Sequence, residues 1–230
     1  MTDSHNSGIA GKQALGRQPC RRRRRSKLSR SGSNLALRIA VAIIAPTPAP
    51  RTSLHGRNPI DTAWPDTIHA HFRRVGVRQV GYVPDAGHSR LIELCRDDSE
   101  IADVVLTTEE EGVGLAAGAA LGGQRSALLM QSSGVGNCVN MFALLRNCGF
   151  GCLVLVTMRG EFGEFNPWQV PMGTITEDVL RLAGFLTYRI DNADAVDEIV
   201  GAGCDMAFDG NLQIAILLSQ RLIGRKLWTR

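Results

Sequence analysis

A chain of 230 residues, 44% of them hydrophobic, is long enough for one sizeable α/β domain, or one domain with a tail, and holds no apolar run long enough to span a membrane. Its net charge of +4 averages two unlike segments: residues 1–57 hold 12 of the 26 Lys and Arg and a single acid, Asp3, while the remainder has 14 basic and 21 acidic residues, a net of −7. An acidic body gives no electrostatic footing to nucleic acid. The six cysteines form no CxxC pair and no zinc-spaced set, so they read as buried small hydrophobes in a reducing, cytoplasmic compartment, with no metal site among them.

Residues 1–57 are rich in Ser, Gly, Pro and Arg, with Arg21–Arg25 unbroken and PTPAP at Pro46–Pro50, and read as a disordered basic extension. A short apolar stretch after the basic run, Ile39–Ala45, has the order of a signal peptide, but Arg38 sits at its edge and the basic run begins far from Met1. An arginine run also suits a tether to an anionic surface or nucleic acid. The plainest reading is a non-functional extension from a start site placed too far upstream, with a domain of residues 58–230 beginning near Pro59.

From there strand and helix alternate. The patterns predict a helix at Asp66–Val75, a strand at Val77–Val83, a helix near Ser89–Cys95 and a strand at Val104–Thr107. A small-residue helix at Glu109–Leu121, a strand at Ala127–Gln131, a helix near Val139–Asn147 and the very apolar strand Leu153–Met158 follow. After a loop at Arg159–Thr174 come a helix at Glu177–Leu182, a strand at Leu186–Ile190, a helix at Ala193–Ala207 and a strand at Leu212–Leu218. Such alternation implies a doubly wound parallel sheet with helices on both faces. Near-continuous apolar strands such as CLVLVTM and LQIAILL fit burial on both sides. Sites in such sheets gather at the carboxyl ends of the strands, so the loops after Val83, Thr107, Gln131 and Met158 are the ones to inspect.

At Thr107–Gly123, TTEEEGVGLAAGAALGG, Thr108 with Glu111 has capping-box spacing and three acids crowd the first helical turn, where the dipole favours them. The helix then accepts Gly112, Gly114 and Gly118, each costing up to about 1 kcal/mol relative to alanine, which points to close backbone approach by a helix or a ligand. In GYVPDAGHSRL, Gly81–Leu91, Asp85 and His88 are candidates for proton handling or substrate contact, although an isolated loop histidine is more often on the surface. MQSSGVGNCVN, Met130–Asn140, reads as a glycine-rich turn before a helix that could form a nest of amides for an anion, without a P-loop pattern. Arg159, directly after the most apolar strand, is either a solvent-exposed strand-end residue or a planar fork for an oxyanion.

The order of Glu109 and, nine residues on, Gly118 in a small-residue helix resembles the pyrimidine-domain signature of thiamine diphosphate enzymes. SSGVGN resembles a segment of sulfopyruvate and phosphonopyruvate decarboxylases, and Gln169–Gly173, QVPMG, is similar to the alpha subunit of the former. The three motifs occur in order, and the resemblance covers about Trp64–Leu218. The resemblance implies the pyrimidine-type domain of the thiamine diphosphate fold, with Glu109, in preference to its neighbours Glu110 and Glu111, hydrogen-bonded to N1′ of the aminopyrimidine and favouring its imino tautomer. It implies cofactor contacts from Gly134, Gly136 and Asn137, and substrate contacts from Asp85, His88, Gln131, Ser132 and Arg159. Related decarboxylases often carry a histidine near the third strand's end, where this chain has Met130 and Gln131, so that role does not transfer. The GDG motif that holds diphosphate and Mg²⁺ in the family is missing; FDGN at Phe208–Asn211 reads as a simple turn. The implied protein is therefore the alpha subunit of a 2-oxo acid decarboxylase, converting 3-sulfopyruvate to sulfoacetaldehyde and carbon dioxide with a beta subunit that carries the diphosphate and Mg²⁺. Phosphonopyruvate or another 2-oxo acid is the nearest alternative substrate, and a non-catalytic regulatory or scaffold subunit the alternative of another class.

Overall fold

A computed structural model describes residues 63–224, and the basic extension lies outside them. The elements are α1 (Trp64–Val75), β1 (Val77–Tyr82), α2 (Ser89–Asp97), β2 (Ala102–Val105), α3 (Glu109–Leu121), β3 (Arg125–Gln131), α4 (Ser132–Cys138), α5 (Phe142–Cys148), β4 (Cys152–Thr157), α6 (Val170–Leu182), β5 (Leu186–Ile190), α7 (Val196–Phe208), β6 (Gln213–Leu218) and α8 (Gln220–Ile223). The six strands form one parallel sheet in the order β2-β1-β3-β4-β6-β5.

The pleat divides the strand side chains between two cores. Leu153 and Leu155 of β4 join Ile68 and Phe72 of α1, Leu91 of α2 and Val200 of α7. Val154 and Val156 face the other way, against Val113 of α3, Val135 of α4, Leu145 of α5 and Leu180 of α6. Every residue of β4 is buried, which is why CLVLVT shows no polar alternation.

Three expectations need correction. SSGVGN is not a turn: β3 runs directly into α4, so this segment forms no loop nest for an anion. Helix α6 begins seven residues earlier than Glu177, because Pro171 occupies the first turn, where a missing N–H is harmless. The capping box is half formed: Thr108 is the N-cap but makes no side-chain cap bond, while the Glu111 carboxylate accepts from the Thr107 N–H at 2.9 Å. FDGN is the turn it resembled, with Asn211 accepting from the Gly151 N–H at 2.7 Å.

Candidate active site

Helix α2, after β1, packs in the first core, and α4 and α5, after β3, pack in the second. The neighbouring strands β1 and β3 therefore send their connections to opposite faces, and the carboxyl ends at such a switch point are where these sheets place a site. Asp85 spans those ends. One of its carboxylate oxygens accepts from Gln131 Nε2 at 2.7 Å and the other from Thr157 Oγ1 at 2.6 Å. Burial alone would raise the Asp85 pKa. Nearby His88, the bonds from Thr157 and Gln131 and the Gly87 N–H outweigh burial and hold it below the usual carboxylate value.

His88 is not the surface residue its loop suggested. It is buried, its Nδ1 lies 3.7 Å from Asp85 Oδ2, and neither ring nitrogen has a hydrogen-bond partner among the described residues. Burial pushes its pKa down to about 4, more than the neighbouring carboxylate lifts it, so the ring is neutral at neutral pH.

Of the three acids opening α3, Glu110 and Glu111 are exposed, and Glu109 turns toward α4. Its Oε2 accepts from Asn137 Nδ2 at 2.8 Å. Its side chain lies across Gly134, where an added Cβ would fall 2.4 Å from Oε1. Oε1 itself makes no hydrogen bond among the described residues. Gly136 faces Met172 of α6 rather than an open cradle, so its expected cofactor contact is not supported by its surroundings.

Arg159 is buried, which overturns the solvent-exposed alternative, and its fork is engaged within the chain. Nε and Nη2 each donate to Glu164 at 2.7 Å. The fork edge expected to take an oxyanion is therefore occupied by a carboxylate. Glu164 also accepts from the N–H groups of Gly160 and Asn166 and from Gln220 Nε2. Burial opposes its ionisation, but the Arg159 fork and those N–H groups prevail and bring its pKa to about 2. Gln220 Oε1 accepts from the N–H groups of Glu161 and Phe162, so the segment after β4 is strapped down at both Glu164 and Gln220.

These pieces meet on one stretch of chain. Gln131 bonds Asp85 of the loop after β1, Ser132 Oγ accepts from the Arg159 N–H after β4, and Gly134 with Asn137 receives Glu109 from the start of α3. Residues 131–137 thus join the loops after β1, β2 and β4. Thr157, Glu164 and Gln220 were missed from sequence. Thr157 had a signal, being the one hydroxyl within the very apolar strand Leu153–Met158, and Glu164 had a weaker one, an acid five residues after Arg159.

No family model matches the chain. The sulfopyruvate decarboxylase subunit alpha of Methanothermobacter thermautotrophicus is 35% identical over 155 residues, which are 66% of this chain and 93% of that protein. The chain belongs to the sulfopyruvate decarboxylase alpha-subunit family. A more distant relative of this family member, the phosphonopyruvate decarboxylase of Streptomyces viridochromogenes, is 36% identical over 110 residues, 47% of this chain but 28% of that protein. Among solved structures, a 2-oxoglutarate:ferredoxin oxidoreductase from Magnetococcus marinus superposes with a TM-score of 0.55 at 12% identity, over 70% of this chain and 29% of that one. It shares the fold. Among the described residues of this alpha-subunit homologue, no helix is long and apolar enough to cross a membrane and no group of three or more His, Cys, Asp and Glu is placed to hold a metal ion.

Proposed function

We propose that this chain is the pyrimidine-binding subunit of a thiamine diphosphate-dependent decarboxylase of 3-sulfopyruvate, completed by a beta chain that grips the diphosphate through Mg²⁺. The observation that carries the reading is the Glu109 carboxylate, seated at a strand end with Oε2 bonded to Asn137 and Oε1 without a partner. One pinned and one available oxygen is the donor set that a single ring nitrogen needs, so the residues fit the aminopyrimidine end of the cofactor. The diphosphate end has no comparable receptor in SSGVGN, which is helical. The chain also spans nearly the whole of a relative named as a subunit and only a minor part of a relative named as a decarboxylase. Both facts support a second polypeptide.

Thiamine diphosphate supplies, when bound, the electron sink for the pair released as the carboxylate leaves as carbon dioxide. The chain's own residues orient and exchange protons. Glu109 holds or gives a proton at Oε1. Asp85, an anion fixed by Gln131 and Thr157, presents a second carboxylate at the same sheet edge, with His88 neutral beside it. Arg159 is part of a braced strap, and its Nη1, the guanidinium nitrogen outside the Glu164 pair, is the atom to offer the substrate's anionic tail a single contact.

The test is turnover by the chain assembled with its beta partner. Glu109→Gln should lower kcat by about 10²–10⁴-fold, the usual weight of positioned acid–base catalysis. Unchanged turnover would favour a scaffold subunit, and decarboxylation by this chain alone would refute the divided site. Profiling the complex on sulfonate and phosphonate 2-oxo acids separates the two substrate classes named by its relatives.

A further inference from the structure

Helix α4 is short, carries two glycines and opens no anion site, yet its one hydrogen bond to α3 and the close approach at Gly134 both end on a single side chain, Glu109. We propose that Gly134 and Asn137 are positioning residues for the Glu109 carboxylate and contact neither cofactor nor phosphate. The inference rests on the reading of Glu109 given above and adds how that group is aimed.

Gly134 and Asn137 are three residues apart, so they share a face of α4. The three atoms nearest an added Cβ at Gly134 all belong to Glu109: Oε1 at 2.4 Å, and Cδ and Cγ at 2.5 Å. No real side chain tolerates that approach, so glycine here lets the carboxylate lie flat on the helix backbone. One turn on, the Asn137 amide donates to Oε2 at 2.8 Å. Asn137 is exposed and takes no part in the core, so packing does not account for it. A neutral amide is also the donor that fixes one oxygen without adding a counter-charge, which leaves the other oxygen free to exchange a proton. Gly136, by contrast, backs onto Met172 and serves the contact of α4 with α6.

This assignment makes an unusual forecast for Gly134→Ala. The obstructing atoms are those of a flexible side chain, and alanine is the better helix former. The variant should therefore fold at least as stably as the parent while its carboxylate is pushed off its seat. In the assembled complex, Gly134→Ala and Asn137→Ala should each lower kcat by about tenfold or more, as expected when a reacting group loses its aim. KM should stay within about threefold, and the circular-dichroism band of the bound aminopyrimidine tautomer should weaken in both. A double-mutant cycle excludes a merely structural effect: in a Glu109→Gln background, Asn137→Ala should cost nothing further.

Parental kcat in Asn137→Ala, or a loss that multiplies with that of Glu109→Gln, overturns the positioning role. If Glu109→Gln itself turns over normally, the reading of Glu109 fails and this one with it. If Glu109→Gln is inactive while Gly134→Ala and Asn137→Ala are both fully active with an unaltered band, only the positioning role is lost.

Discussion

At the residue scale, the Arg159–Glu164 pair decides how the segment after β4 is held. Both side chains are nearly removed from solvent, at 10% and 4% exposure. Two buried charges repay their desolvation only with good geometry and further hydrogen bonds. Both conditions are met, by two 2.7 Å contacts and by the donors on Gly160, Asn166 and Gln220. Glu164→Ala leaves an uncompensated guanidinium and should destabilise the chain by about 3–5 kcal/mol in urea unfolding. Replacing both partners by apolar residues, Arg159→Met with Glu164→Leu, should recover part of that loss. Recovery stays incomplete because the three other donors still lack their acceptor. A Glu164→Ala chain as stable as the parent would mean that the strap is held by Gln220 and backbone alone.

At the scale of elements, α3 separates what this chain needs from what an assembly needs. Gly112 is packed: an added Cβ would meet Leu106 at 2.9 Å and Leu128 at 3.1 Å. Gly114 and Gly118 are exposed, with nothing within 4 Å of an added Cβ, and Leu121, one turn beyond, is 77% exposed. The close approach expected from this glycine content is thus met within the chain at Gly112 alone. The other helix layer differs. Among the described residues, α1, α2 and α7 expose no large hydrophobic side chain and carry ion pairs such as Arg73–Asp98 and Arg74–Asp205, whereas Leu121, Leu144, Ile175 and Leu182 stand exposed on α3, α5 and α6. Gly118→Ala should therefore stabilise the isolated chain by about 0.5–1 kcal/mol, a rise in Tm of roughly 2–4 °C at most. It should weaken association with a beta chain that backs onto this helix. A lower Tm for the isolated variant would show that Gly118 serves the chain's own packing.

The same elements show how far the sequence could be read. The bounds of α3 and β5 were legible because an N-cap with a run of acids, and LTYRI, a five-residue run alternating in polarity between turns, are local signals. Glu109 was legible as a carboxylate at a strand end. The identity of α4 was not, because two glycines in seven residues argue against a helix until Glu109 and Met172 are seen to need the space. Neither the burial of His88 nor the Glu164 pairing of Arg159 could be read locally. Both depend on which loops the sheet order brings side by side.

At the scale of the whole molecule, His88 and the depressed carboxylates, Glu164 among them, make the fold sensitive to acid in successive windows. His88 has a folded pKa of about 4 against an ordinary 6.5, so between those values the unfolded chain binds the extra proton. Stability must rise with pH there, and the contribution from burying a neutral His88 is complete above 6.5 and lost as pH falls to 4. Glu164, at about 2 against an ordinary 4.5, contributes stability that is complete above 4.5 and lost as pH falls toward 2. At 1.36 kcal/mol per unit, each depression corresponds to about 3 kcal/mol. Acidification should therefore lower the urea midpoint in two successive stages, the first already under way at pH 6. His88→Leu should flatten the upper stage with little loss at pH 7, since an unpartnered imidazole gives up no hydrogen bond. Glu164→Gln should shrink the lower stage to the share left to Asp85 and the other depressed carboxylates, in a variant already weakened at pH 7 by the broken ion pair. Midpoints measured in half-unit steps would show which group governs each stage, and a profile level from pH 6.5 to 4 would place the His88 ring in contact with solvent.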